Sequence, residues 1–175
     1  MSTIIIRSLG IDDTMSLFKF ELENRAWFES HVAPRPPDFY SDQGVQAHVE
    51  HLLARYDAGT FHPSIILNQD GDILGRANLK DIDQHSGVAE IGYRIAQQNA
   101  GHGLATSAVR YLIEIACQRW QLKMLNAVAA ENNNASMRVL EKCGFIRREH
   151  VPKIAAVGGR TLDGYAFSLR LNGIN

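Results

Sequence analysis

The run from Gln98 to Ala116, QNAGHGLATSAVRYLIEIA, sets two glycines in a polar loop directly ahead of a strongly amphipathic helix. Glycine is a poor helix former, used where φ must be unusual or where the backbone must come close to another group. In the helix that follows, Leu104, Ala105, Ala108, Val109, Leu112, Ile113 and Ala116 make one broad apolar face, which calls for a sheet to pack on. The preceding run IGYRIA reads as a strand. A strand, a glycine turn and a core helix in succession point unpaired helix-end N–H groups, and the positive end of the helix dipole, at the carboxyl edge of a sheet. That is a cradle for an anion such as a phosphate, although a purely structural turn has the same spacing. The loop is not a dinucleotide fingerprint, because Ala105 and Thr106 replace the third glycine. Nor is it a P-loop, since no Gly-Lys-Ser/Thr is present.

The rest of the chain fits around this unit. Its 175 residues, 45% of them hydrophobic and 21% charged, suit a single domain spanning 1–175. A net charge of −1 offers no global basic field, so nucleic acid is not an expected partner. Cys117 and Cys143 fall in helical patterns rather than a paired framework, which suits a reducing compartment and a cytoplasmic location. The opening MSTIIIRSLGIDD reads as neither a signal peptide nor a membrane span. Histidines without H-x-x-x-H spacing or a Cys/His cluster predict no metal site.

Along the chain, Thr3 to Leu9 reads as a strand, then a helix with Met15, Leu17, Phe18, Leu22 and Ala26 as its apolar positions. Three prolines make His31 to Tyr40 a loop, after which Ser41 or Asp42 caps a helix through Ala58. Phe61 to Asn68 and Ile73 to Lys80 are β-type runs around the turn signal QDGD, and VAEIGYRIA is a third. Beyond the glycine unit come a strand from Lys123 to Ala130 and a helix from Asn134 to Cys143 stopped by Gly144. Two β-type runs, Phe145 to Val151 and Asp163 to Leu171, flank AAVGGR. The pattern predicts an α/β (α+β) fold with one mixed sheet covered by helices.

QNAGHGLATSAV resembles the acetyl-CoA-binding loop of GNAT-type N-acetyltransferases, Q/R-x-x-G-x-G/A, with Gln98, Gly101 and Gly103 at its defining places. ENNNASMRVLEKCGF, from Glu131 to Phe145, is similar to the N-x-x-S-x-x-(V)-L-E-K-x-G-F helix of the RimJ/RimL branch, and AEIGYRI resembles that branch's central strand. The resemblance implies a GNAT fold, a largely antiparallel splayed sheet of about seven strands flanked by about four helices. It also implies acetyl-CoA as cosubstrate, wedged between the strands ending near Ile95 and Ala130.

On that reading the amides of Asn99, Ala100, Gly101, His102, Gly103, Leu104, Ala105 and Thr106 hold the pyrophosphate. The backbone of Tyr93, Arg94 and Ile95 pairs with the pantetheine arm as an added strand would. His102 stands where the family often has Lys or Arg, which shifts the work from fixed charge to amides. Many members place a tyrosine where this chain has Leu140, so Ser136 is the group expected to contact the thiol sulfur. The alternative for Ser136 is a helix hydroxyl bonded to a backbone carbonyl. Asn133 matches an asparagine that bonds the pantetheine arm, and its position equally suits an N-cap.

Glu90 is the candidate base, or else a solvent-facing strand carboxylate, with Asp81 or water as substitutes. Cys143, at a helix C-terminus where the dipole disfavours a thiolate, reads as a core cysteine, so direct transfer in a ternary complex follows. The acceptor groove is expected from Trp27, Phe28, His31, Arg35, Phe39 and Tyr40, with a mobile second wall in KIAAVGGRTLDG. The expected acceptor is a primary amine, foremost the N-terminus of a protein such as a ribosomal protein. A small amine or antibiotic is the alternative acceptor, and a CoA-binding regulatory module without turnover the alternative class. Homodimerisation through the late strands is compatible with this reading.

Overall fold

The computed structural model describes residues 3–171; positions 1–2, within the N-terminal reading above, and 172–175 lie outside the described residues. One sheet of seven strands runs through it. In chain order these are β1 (Ile5–Ser8), β2 (His62–Leu67), β3 (Ile73–Asp83), β4 (Val88–Ile95), β5 (Met124–Ala130), β6 (Ile146–Val157) and β7 (Arg160–Arg170). Their spatial order is β1-β2-β3-β4-β5-β7-β6, with every pairing antiparallel except β4 with β5. Five α-helices cover the sheet: α1 (Thr14–Glu23), α2 (Arg25–Glu29), α3 (Asp42–Asp57), α4 (Leu104–Gln118) and α5 (Asn134–Lys142).

The two faces of the sheet have separate cores. On one, Ala108, Val109, Leu112 and Ala116 of α4 join Met137 and Leu140 of α5 against Ala77, Leu79 and Ile91 of the sheet. On the other, Leu17 and Phe20 of α1, Phe28 of α2 and Val45, Val49 and Leu52 of α3 close over Ile65 and Leu67 of β2. Alternation along each strand produces this split, because successive side chains point to opposite faces.

The parallel β4–β5 pair holds only from Val88↔Met124 to Glu90↔Asn126. Beyond it β4 stays on β3 as far as Ile95, while β5 follows β7 to Ala130. The sheet therefore opens into a wedge, as expected, and the free edge can be read from one bond. Ala96 N–H donates to Leu74 O on the β3 side at 2.9 Å. Antiparallel alternation then turns the main-chain groups of Arg94 and Gly92 into the β3 ladder and those of Ile95, Tyr93 and Ile91 toward the gap.

Two expectations are corrected. The first helical segment breaks at Asn24 into α1 and α2, giving five α-helices instead of about four. Its inward face is Leu17, Phe20, Glu21 and Phe28, while Met15 and Leu22 are 60% and 48% exposed. A carboxylate in the buried stripe displaced the apparent apolar face. The KIAAVGGRTLDG segment is also no loose connection: β6 and β7 pair through it, with register shifts between Arg147 and His150 and between Val151 and Ala155, and turn at Gly158 and Gly159, with φ of 56° and 76°. Positive φ at both central residues is what a type I′ two-residue hairpin turn requires.

Candidate active site

The glycine loop leaves β4 through a short 3-10 turn, Gln97–Asn99, and reaches α4 with Gly101 and Gly103 at φ of 81° and 82°. Both conformations favour glycine, and a Cβ at either position would meet nothing within 4 Å. The space above the loop is open. The first amide drawn into the helix is that of Ser107, donating to Gly103 O at 3.1 Å, and the amides of residues 101–106 find no acceptor among the described residues. Asn99 Oδ1 is buried without a donor. Unpaired N–H groups at the mouth of a fifteen-residue helix, with room above them, fit a diphosphate.

A cavity of about 650 Å³ lies in the wedge between β4 and β5. Ile91, Tyr93 and Arg94 form one side of it, Ala127–Ala130 the other, and Asn133, Ser136 and Leu140 of the α5 segment close one end. Ser136 Oγ does not bond to a carbonyl as a bare helix hydroxyl would. It sits 2.7 Å from Tyr93 Oη, across forty-three residues of chain. Burial pushes the Tyr93 phenol up to about 12; the bond from Ser136 works against that rise and the Cys143 thiol adds to it. The place of the expected tyrosine is indeed a buried leucine, Leu140, but a phenol arrives from β4 instead. Asn133 caps α5, its side chain accepting from Ser136 N at 3.0 Å, so only its amide nitrogen is left unengaged.

Three other expected residues take clear positions. Ile95 O, at the free edge, already accepts from Trp27 Nε1 at 3.1 Å, leaving Ile95 N–H and both groups of Tyr93 for an added strand. Arg94 does not belong with them, since its main chain faces β3 and its side chain approaches Glu21 Oε2 at 3.5 Å. Glu90 lines the cavity and forms an ion pair with Lys80 of the facing strand. Asp81 instead pairs with Arg55 at 2.8 Å at the surface and does not line the cavity. Cys143 is half-buried, and burial raises its thiol pKa, as suits a core cysteine.

Sequence reasoning missed a charged cluster on the α1 side of the same cavity. Glu21 is fully buried; Arg76 Nη1 bonds its Oε1 at 2.5 Å, Arg35 Nη2 lies 3.4 Å from the same oxygen, and Arg94 approaches the other. Burial works to raise the Glu21 pKa, but Arg76, Arg35 and Arg94 together hold it below its ordinary value. Arg76 Nη2 also donates to His48 Nε2 at 3.2 Å, and burial, helped by Arg76 and Arg35, lowers His48 to about 3. His48 is thus neutral. The available signal was a lone Glu at helical spacing among Leu17, Phe20 and Phe28, with arginines inside two apolar strands.

Residues 3–146, most of the chain, match the acetyltransferase (GNAT) domain family. The chain is a GNAT acetyltransferase. It is 29% identical over 159 residues to the Probable N-acetyltransferase YjcK of Bacillus subtilis (strain 168), covering 90% of this chain and 88% of that one. The ribosomal-protein-S5-alanine acetyltransferase of Vibrio fischeri superposes with a TM-score of 0.93 at 17% identity, over 98% of this chain and 95% of that chain. The spermidine N-acetyltransferase of Vibrio cholerae, solved with CoA and spermine, gives 0.81 at 18% identity over 96% and 95% of the two chains. These two neighbours establish the fold this GNAT acetyltransferase shares, and they differ in their named acceptors. Among the described residues no helix is long and apolar enough to cross a membrane, and no group of three or more His, Cys, Asp or Glu could hold a metal ion.

Proposed function

We propose that this acetyltransferase transfers the acetyl group of acetyl-CoA to the α-amino group of a protein N-terminus, such as that of a ribosomal protein, by direct attack in a ternary complex. The observation that carries the reading is the pairing of the unoccupied amides of residues 101–106 with the free β4 edge at Tyr93, which together suit a diphosphate and an extended amide-bearing arm. Acetyl-CoA supplies an activated thioester, whose carbon–sulfur bond breaks as the carbon–nitrogen bond forms. Ser136 Oγ–H then offers a hydrogen bond where charge develops on sulfur, while Tyr93 Oη–H supports Ser136 from behind. A thiol has a pKa of about 8.5, so a donor suffices and a strong acid is not needed.

Glu90 takes the proton of the attacking amine. Because Lys80 already engages its carboxylate, it suits an acceptor that is easily deprotonated. An α-amino group of pKa about 8 costs roughly 1–1.5 kcal/mol to deprotonate at pH 7, against roughly 4.6 kcal/mol for a lysine. Incubation with acetyl-CoA and a peptide carrying both a free N-terminus and an internal lysine tests the reading. Fragmentation mass spectrometry is expected to place the acetyl group on the α-nitrogen. Acetyl on the lysine alone, or turnover with spermidine and none with peptides, overturns it.

A further inference from the structure

The acceptor side of the cavity carries more positive charge than the fold needs. Arg35, Arg55, Arg76, Lys80 and Arg94 all line it, and among the described residues Glu90 is the only carboxylate that does. Arg55 and Lys80 have their own partners in Asp81 and Glu90. The other three guanidiniums share one carboxylate, Glu21. One arginine would neutralise that carboxylate; the other two leave an excess of two positive charges in a largely buried place. Arg76 and Arg94 are also direct register partners on neighbouring strands, where like charges repel. Burial, with Arg35 and Arg76 beside it, brings Arg94 down to about 10, so it still carries its charge at neutral pH.

Two polar atoms in the cluster are left unmatched. Arg35 Nε and Glu21 Oε2 are buried without a hydrogen-bond partner, and an orphaned buried donor is costly unless something comes to it. Arg35 reaches the cavity from the segment APRPP, whose prolines fix the backbone, and its guanidinium lies 4.2 Å over the Phe39 ring. The fork is held ready rather than free to fold away. The glycine loop does not line this cavity, so an anion bound here is not the diphosphate.

We propose that the acceptor amine carries a carboxylate, bound by the Arg35–Arg76–Arg94 cluster while the amine faces Glu90. This rests on the acetyl transfer proposed above and names its substrate class. Arg94 and Glu90 share one face of β4, four residues apart, which sets their Cα atoms about 13 Å from each other. An acidic side chain at the second or third residue of a peptide spans such a distance better than the carboxylate of a free amino acid. A polycation such as spermidine is repelled.

Steady-state turnover on the C-terminally amidated peptides Ala-Glu-Glu-Ala, Ala-Ser-Ser-Ala and Ala-Lys-Lys-Ala, with free glutamate and spermidine alongside, tests this in the whole protein. The glutamate peptide is expected to exceed the lysine peptide in kcat/KM by about a hundredfold, because it forms one or two charge-assisted hydrogen bonds where the lysine peptide meets like charge. Arg35→Gln should remove about tenfold of that preference through acceptor KM, while KM for acetyl-CoA stays within about twofold. Equal kcat/KM for the three peptides, or an undiminished preference in Arg35→Gln, overturns the carboxylate assignment and leaves the N-terminal reading standing. Turnover of free glutamate without peptides does the reverse. If nothing turns over, calorimetry of the glutamate peptide with the CoA-bound protein decides, and absence of binding overturns the assignment.

Discussion

Two regions of this acetyltransferase are built to meet negative charge, and they do so by opposite means. The loop ahead of α4 uses main-chain N–H groups with side chains removed: Gly101 and Gly103 leave open space where a Cβ would sit. The wall opposite uses guanidiniums crowded around one buried carboxylate. Amides cost the fold nothing when no ligand is present, because water satisfies them at an exposed helix mouth. Buried guanidiniums do cost, since each must be desolvated and held beside its like. Altering a glycine should therefore harm binding most in the first region, whereas removing the central carboxylate should harm stability most in the second.

The largest effect is expected at the loop. Gly101→Val puts a β-branched side chain at a φ of 81° and fills the space above the amides. Affinity for acetyl-CoA by calorimetry should drop at least a hundredfold, while stability falls only by the backbone strain, about 1–2 kcal/mol or somewhat more for a β-branched residue, because no neighbour lies within 4 Å of the new Cβ. Gly101→Ala separates the two causes. It adds about 1–2 kcal/mol of backbone strain with little bulk, so an intermediate loss points to loop conformation and a full loss to the ligand's close approach. Unchanged affinity in the valine variant removes the diphosphate assignment.

At the charged wall, removing the shared carboxylate should cost stability first. Glu21→Gln keeps the shape but leaves three guanidiniums without a counter-charge, and breaking a buried pair in this way costs about 3–5 kcal/mol. Urea unfolding is the measurement, and a loss below about 1 kcal/mol would mean that solvent already screens the cluster.

The contrast also explains which region could be read from the sequence. The loop is contiguous: its spacing, its glycines and the helix behind it occupy residues 98–116, so local chemistry is visible in one line of letters. The charged cluster draws Glu21, Arg35, Arg76 and Arg94 from α1, the proline segment, β3 and β4. No short-range pattern links them, and the buried carboxylate made the first helix read with Met15 and Leu22 inward when both are exposed. The wedge between β4 and β5 followed from the family resemblance, whereas the alternation that turns Arg94 away from the gap needed the register. For Tyr93 the sequence offers a strand position and a main chain, and no use for its side chain. Its phenol meets Ser136 Oγ, and that meeting depends on how α5 docks.

That phenol allows the finest division between binding and chemistry. Tyr93 belongs to the neutral half of the cavity, where its polar contact at the α5 end is its bond to Ser136. A pKa raised to about 12 keeps the proton on oxygen, so the pair remains a donor throughout the neutral range and loses its proton only as pH climbs through that value. Tyr93→Phe should lower kcat about tenfold with KM for acetyl-CoA nearly unchanged, the signature of an interaction made mainly in the transition state. Ser136→Ala should cost at least as much, and the double variant little more than Ser136→Ala alone, since two groups acting as one unit are not additive. If Tyr93→Phe instead raises KM for acetyl-CoA and spares kcat, the Tyr93–Ser136 contact holds the arm and takes no part in release of the thiol.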